Sequence, residues 1–508
     1  MKNLLYISFF LLIGLWSCSE DSLDPEQQDR FRFGYGATGA SNLAFDSNSL
    51  GREGAGTTQG PQDVPGLGEN PFISVNDEPI STFSVDADGA SFAYVRYILS
   101  EFSQLPAYDY IRTEELINYF GLDYAYNNPA HPISLNGEVS QCPWNTDNRL
   151  IRIGIKGRPL PENDLPPANF VFLIDVSGSM SSPNKLELLK EGFKLFVDEL
   201  SAEDRVAIVT YAGSAGVALE STPGSDPATI KAAINGLGAG GSTAGAEGIL
   251  TAYEIAQQNF VEGGNNRIIV GTDGGFNVGV SSTEELVELI ETQRDQGIFL
   301  TVLGVGDIYN DELLEQVANN GNGTYEYADN VEQLRKVFIY DYQKFYTVAK
   351  DVKVQVEFDP NLVAAYRLIG YENRLLNTED FEDDERDAGE IGADQNITAL
   401  YEIVPADLPP SAQVPTFTIN FRYKEPDSDT SIPLQLPVFD PGHSFDQASD
   451  FTQFTAAVAL FGMLLNDSDY SGDGTYDDVL SWLSSINLND EYGFKADLRD
   501  VVEIARGL

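Results

Sequence analysis

Five oxygen-bearing residues stand where a bound ion could be held: Asp175, Ser177 and Ser179 in Asp-Val-Ser-Gly-Ser, Thr243 in Gly-Gly-Ser-Thr, and Asp273 in Thr-Asp-Gly. Carboxylates and hydroxyls are hard donors, so the set suits Mg²⁺ first, with Ca²⁺ and Mn²⁺ as alternatives, and not thiophilic metals. Charge decides what such a site can do. If hydroxyls supply most direct bonds while the two carboxylates act partly through water, a divalent cation keeps uncompensated positive charge. An open octahedral position then favours a carboxylate brought by a protein partner, and the metal becomes a recognition element. A second pattern, Asp467-Ser-Asp469-Tyr-Ser471-Gly472-Asp473 and on to Asp478, has the spacing of an EF-hand calcium loop, with Asp in place of the bidentate Glu at its last position. The competing reading there is an acidic loop leading into a capped helix.

Other chemistries are short of material. The chain has two histidines, His131 and His443, which leaves little for imidazole acid–base catalysis. It contains no GxxxxGK[ST] loop, CxxC pair or HExxH helix. Metal-activated hydrolysis needs a positioned general base, and in so acidic a chain no carboxylate pair stands out for that role. The sequence therefore reads as a binding protein and not as an enzyme. Thirty basic residues against 79 acidic give a formal charge of −49, the opposite of the phosphate-neutralising surface that nucleic acid requires. DNA and RNA are excluded as partners on that ground.

The elements that must position the donors are short apolar runs at 170–174, 206–209, 268–270 and 299–303, separated by amphipathic helical patterns. Strands apolar on both faces that alternate with helices indicate a parallel sheet covered on both sides, a doubly wound α/β domain over 166–346. Such sheets bind ligands beyond the carboxyl ends of their strands, where Asp175 and Asp273 fall. Ser182 is expected to cap the first helix and Pro183 to take its first turn, with Leu186, Leu189, Phe193, Phe196 and Leu200 on one face. Residues 72–165 read as an α+β region, in which Ile151, Ile153 and Ile155 share a strand face. Residues 347–508 read as β-rich and then helical. Since β segments flank the α/β unit on both sides, it is expected to be inserted into a β-sandwich.

The amino terminus carries Lys2, an apolar run over 4–15 and Ser17 before Cys18, which is the make-up of a secretory signal over 1–17. Leu15-Trp-Ser-Cys18 resembles a bacterial lipobox, which implies lipid attachment at Cys18. Residues 18–71, poor in apolar side chains, read as a flexible tether. The expected location is the cell envelope, with the lipid in a bacterial membrane, the outer one in the first place, on its periplasmic or surface face. Cys142 is then alone, a small packed hydrophobe. Outside the signal no apolar run approaches the roughly 20 residues of a spanning helix.

Asp175-x-Ser177-x-Ser179, Thr243 and Asp273 resemble the metal-ion-dependent adhesion site of von Willebrand factor type A domains. Thr82-Phe-Ser-Val-Asp86, Glu114-Glu-Leu-Ile-Asn-Tyr-Phe120, Cys142-Pro-Trp-Asn145, Gly264-Asn-Asn-Arg267 and Ala365-Tyr-Arg-Leu-Ile-Gly-Tyr-Glu-Asn373 are similar to stretches of YfbK-like bacterial lipoproteins, described as homologous to calcium-activated chloride channel components. The likeness runs over about residues 72–508. It implies that Ser177, Ser179 and Thr243 are direct ligands in the partner-bound state and that Asp175 and Asp273 bond largely through water. Gly275 departs from the acidic residue common in similar sequences. Two functions follow as expectations: adhesion or scaffolding through an acidic side chain of a partner, or service as an accessory subunit of a membrane transporter or envelope complex.

Overall fold

The computed structural model describes residues 68–508 except 86–87, 214, 241–245, 275–282, 307–310, 385, 387 and 411. The expected signal, Cys18 and nearly all of the tether lie outside the described residues, and so does Thr243.

A six-stranded sheet runs in the order Tyr325–Ala328, Ile298–Val305, Asn265–Thr272, Ala168–Asp175, Arg205–Tyr211 and Ala215–Pro223, parallel throughout except for the last strand. Its two central strands, Ala168–Asp175 and Asn265–Thr272, are buried along their whole length. Successive side chains explain the double layer. Val171 and Leu173 belong to one core with Ile249, Leu286 and Leu314, whereas Phe170, Phe172 and Ile174 belong to the other with Phe193, Phe196 and Ile230. Phe172 stacks on Phe193 with ring centroids 4.4 Å apart, and Phe196 on Phe338 at 4.9 Å, so the first amphipathic helix is held mainly by aromatic packing.

That helix departs from expectation at its start. Residues Pro183–Glu187 form a wide i→i+5 turn before the regular helix Leu188–Glu199, and the Ser182 side chain makes no capping hydrogen bond. A wide turn shifts the register of the side chains it carries and is often found at functional sites.

Two antiparallel sheets lie in the flanks. One runs Ile73–Ser74, Val363–Ile369, Asn396–Pro405, Arg149–Gly157 and Ile133–Gln141; the other runs Gly389–Gly392, Thr347–Phe358, Phe417–Lys424 and Ser431–Val438, with Ile80–Ser84 also pairing on Thr347–Phe358. Each takes strands from before and after the parallel sheet in sequence. They face each other across a shared core, where Phe358 of one meets Tyr366 and Tyr401 of the other at 4.4 and 5.5 Å between ring centroids. The chain thus leaves this two-sheet layer, builds the α/β unit and returns.

Three helices close the chain, Asp450–Leu465, Tyr476–Ser485 and Phe494–Arg506. Among the described residues no helix is long and apolar enough to cross a membrane. The first of the three is tied to the flanking sheet at its start. Glu138 accepts hydrogen bonds from the Ser449 amide at 2.7 Å, the Thr452 hydroxyl at 2.6 Å and the Ser449 hydroxyl, with Arg152 Nη2 3.3 Å away. Burial pushes the Glu138 carboxyl up, but these hydrogen bonds and the Arg152 charge outweigh it and hold the carboxyl below its ordinary value. A depressed folded value means stability that is present above the ordinary glutamate range and is lost as the pH falls through the folded value. Glu138→Gln is expected to lower stability at neutral pH by about 1–2 kcal/mol and to flatten the acid limb of a stability–pH curve measured by urea unfolding.

Candidate metal centre

Strand Ala168–Asp175 delivers Asp175 to the carboxyl edge of the sheet, fully buried. The chain then turns, and the Ser177 amide donates to Asp175 Oδ1 at 2.8 Å, which fixes the carboxylate against its own loop. Ser177 and Ser179, two residues apart on the same turn, bring their hydroxyl oxygens within 2.9 Å of each other. The neighbouring parallel strand Asn265–Thr272 ends beside them, in register Ile174 with Gly271, and hands on Asp273. Thr272 Oγ1 stands 3.5 Å from Asp175 Oδ2.

Backbone contacts hold the surrounding loops. The Val176 amide donates to the Tyr211 carbonyl at 3.0 Å, and the Gly240 amide donates to the Val176 carbonyl at 2.7 Å. The segment that leads to Thr243 is therefore fastened to the Asp-x-Ser loop three residues before the threonine. Of the five predicted donors the structure brings together Asp175, Ser177, Ser179 and Asp273 on two adjacent strand ends.

Electrostatics set the character of this edge. Burial lifts the Asp175 carboxyl above its ordinary range, and the nearby Asp273 charge adds to the effect. The Tyr211 phenol, fully buried on the next strand, is pushed up by burial and then by Asp175. Lys185, on the wide turn before the first helix, reaches across to Asp273 and places Nζ 2.8 Å from Oδ2. Lys185, Tyr211 and Thr272 were not legible as site residues. A lysine in the first turn of an amphipathic helix reads as a solvated side chain, and only the tertiary fold turns it inward.

Two buried carboxylates and paired hydroxyls fit a hard divalent cation: the donors are oxygen alone, and a cation relieves the burial cost at Asp175. Among the described residues no three carboxylate, imidazole or thiol groups gather into a metal cage. Ser177, Ser179, Asp175 and Asp273 would hold the cation, which would supply Lewis acidity toward an incoming oxyanion.

At Asp467, Asp469, Ser471, Asp473 and Asp478 the structure shows the contacts of the competing reading, an acidic loop leading into a capped helix. Asp478 closes a capping box with Thr475, accepting from its amide at 3.0 Å and its hydroxyl at 2.5 Å, at the start of helix Tyr476–Ser485. Gly472 serves a different contact: its φ is +55°, and a Cβ there would lie 2.1 Å from the Trp144 carbonyl oxygen. The Asp473 amide donates to that same oxygen at 3.1 Å. Docking on Trp144 and helix capping together account for the glycine and the last aspartate that made the pattern look like a calcium loop. Cys142, two residues before that tryptophan, is buried, and burial raises its thiol, as suits a packed side chain.

A mostly parallel sheet with this Asp-x-Ser-x-Ser edge defines a von Willebrand factor type A domain, and residues 169–338 match that domain family. Residues 62–152 match a family described as von Willebrand factor, and residues 343–508 match the family described as "Uncharacterized protein YfbK, C-terminal". The uncharacterized protein YfbK of Escherichia coli (strain K12) is 37% identical over 465 residues, covering 87% of this chain and 80% of that one. The chain belongs to the YfbK family. Solved structures similar to it include the conserved hypothetical protein BatB from Bacteroides thetaiotaomicron, 25% identical over 35% of this chain and 98% of that one with a TM-score of 0.30. A von Willebrand factor type A protein from Catenulispora acidiphila is 15% identical, covers 74% of this chain and 98% of that one, and has a TM-score of 0.41.

Proposed function

We propose that this protein is a lipid-anchored component of a bacterial envelope whose α/β domain captures an acidic side chain of a protein partner through a divalent cation, Mg²⁺ in the first place. The observation that carries the reading is the composition of the sheet edge: Asp175 and Asp273 are its carboxylates, and Ser177 and Ser179 offer hydroxyls within 2.9 Å of one another. Two formal negative charges, one of them engaged by Lys185 at 2.8 Å, leave a divalent cation attractive to an external oxyanion. A net charge of −49 repels an acidic partner over the rest of the surface, so the cation has a decisive part in the encounter. The anchor is Cys18, and the polar stretch after it acts as the tether that spaces the folded part from the lipid.

The test is affinity capture from solubilised envelopes with the full chain as bait, in Mg²⁺ and in EDTA. Partners retained in Mg²⁺ are expected to be released by EDTA and to be absent with Ser177→Ala bait. Capture of the same partners in EDTA would contradict the proposal.

A further inference from the structure

Lys185 is built into the sheet edge with more care than a surface lysine requires. The wide turn Pro183–Glu187 rotates it away from solvent, leaving the side chain 10% exposed. Its stem runs along Gly306, whose φ is +67° and where a Cβ would come within 2.4 Å of Lys185 Cε. Gly306 in turn is fixed by the Tyr327 hydroxyl, which donates to its carbonyl at 2.9 Å. Three separate elements thus make a channel that delivers the ammonium to Asp273 Oδ2, 2.8 Å away.

We infer that Lys185 sets the charge of the metal centre so that the bound cation is held less tightly but takes one partner carboxylate more strongly. This rests on the proposed metal-mediated capture. Asp175 and Asp273 contribute −2, and Lys185 brings the protein's share to −1. A divalent ion then leaves the centre at +1, and a single carboxylate brings it to zero. With a neutral side chain at position 185, the loaded centre is already neutral and the drive to recruit an outside anion falls. The lysine acts through Asp273 and the local field, and is therefore a positioning residue for charge and not a ligand.

The two consequences have opposite signs, which separates this role from a purely structural one. The full chain is titrated with Mn²⁺, free ion being read by electron paramagnetic resonance, without and with excess acetate as the carboxylate probe. Wild type is expected to bind Mn²⁺ more tightly when acetate is present. Lys185→Met is expected to bind Mn²⁺ alone roughly tenfold more tightly than wild type, and acetate is expected to lose most of its enhancing effect. Lys185→Arg, which keeps the charge, is expected to stay close to wild type in both readings. An unchanged Mn²⁺ affinity in a folded Lys185→Met protein overturns the inference. So does tighter Mn²⁺ with the acetate effect intact, which would make the lysine a simple competitor for Asp273. Ser177→Ala distinguishes the two levels: if it binds Mn²⁺ like wild type, the metal-centre reading has failed and the charge-setting role with it. If it loses Mn²⁺ while Lys185→Met changes nothing, only the role of the lysine has failed.

Discussion

Saturating Mg²⁺ is expected to raise the unfolding temperature of the wild-type protein and to leave that of Asp175→Asn where it was. A cation held at the proposed centre would bind the folded state alone, because its donors come from strand ends nearly a hundred residues apart in sequence. At a hundredfold excess over its dissociation constant this linkage is worth about 2.7 kcal/mol, several degrees for a domain of this size. Asp175→Asn keeps the acceptor for the Ser177 amide, held at 2.8 Å in the wild type, while removing the charge that the ion needs. The metal-free state carries the opposite signature. The Asp175 carboxyl is raised by burial and then by Asp273, so the folded protein binds its proton more tightly than the unfolded chain. Stability of the metal-free wild type is therefore expected to fall as the pH rises from the ordinary aspartate range up through the raised value, and to level off above it. Asp175→Asn lacks that decline, and Mg²⁺ abolishes it in the wild type. Thermal melts across pH, with and without Mg²⁺, check all three; a Mg²⁺-dependent gain that survives in Asp175→Asn would locate the ion elsewhere.

Glu402→Leu lowers stability by about 3–5 kcal/mol, the largest single loss expected outside the metal centre. Glu402 is buried between three donors: Asn148 Nδ2 at 2.6 Å, Trp144 Nε1 at 3.0 Å and Arg367 Nη2 at 3.5 Å. Arg367 is itself 1% exposed, its guanidinium 4.2 Å from the centroid of the Tyr470 ring. Removing the carboxylate leaves the buried Arg367 charge to the more distant Glu69 Oε1, 3.9 Å away, and frees the tryptophan on which Gly472 and Asp473 dock. Removing both charges is expected to cost much less than the first change alone. Urea unfolding of Glu402→Leu, Arg367→Met and the double variant gives the coupling directly, and a Glu402→Leu loss under about 1 kcal/mol would contradict it.

What the sequence revealed follows from which signals are local. Strand Ala168–Asp175 is apolar on both faces, and its burial on both sides is a property of consecutive residues. The Asp-x-Ser-x-Ser turn is equally local, so its place at a strand end could be read directly. The insertion was legible because β pattern reappears after the α/β unit. Features that depend on distant partners were hidden. Lys185 meets Asp273 across 88 positions, and the wide turn that aims it leaves no mark in the apolar periodicity, since Leu186 and Leu189 satisfy either register. Trp144 meets Glu402 across 258 positions. The 467–478 segment was ambiguous because a capping box and a calcium loop both place an aspartate near the start of a helix.

The proposed metal centre requires a cation that this sheet edge binds without enclosing. A crystal of the full chain grown in Mg²⁺ and acetate tests that most directly. It is expected to show one ion bonded to the Ser177, Ser179 and Thr243 hydroxyls, with Asp175 and Asp273 close by and acetate or water in the remaining outward position. Loops with no ion, or an ion whose every ligand comes from the protein itself, would contradict the account.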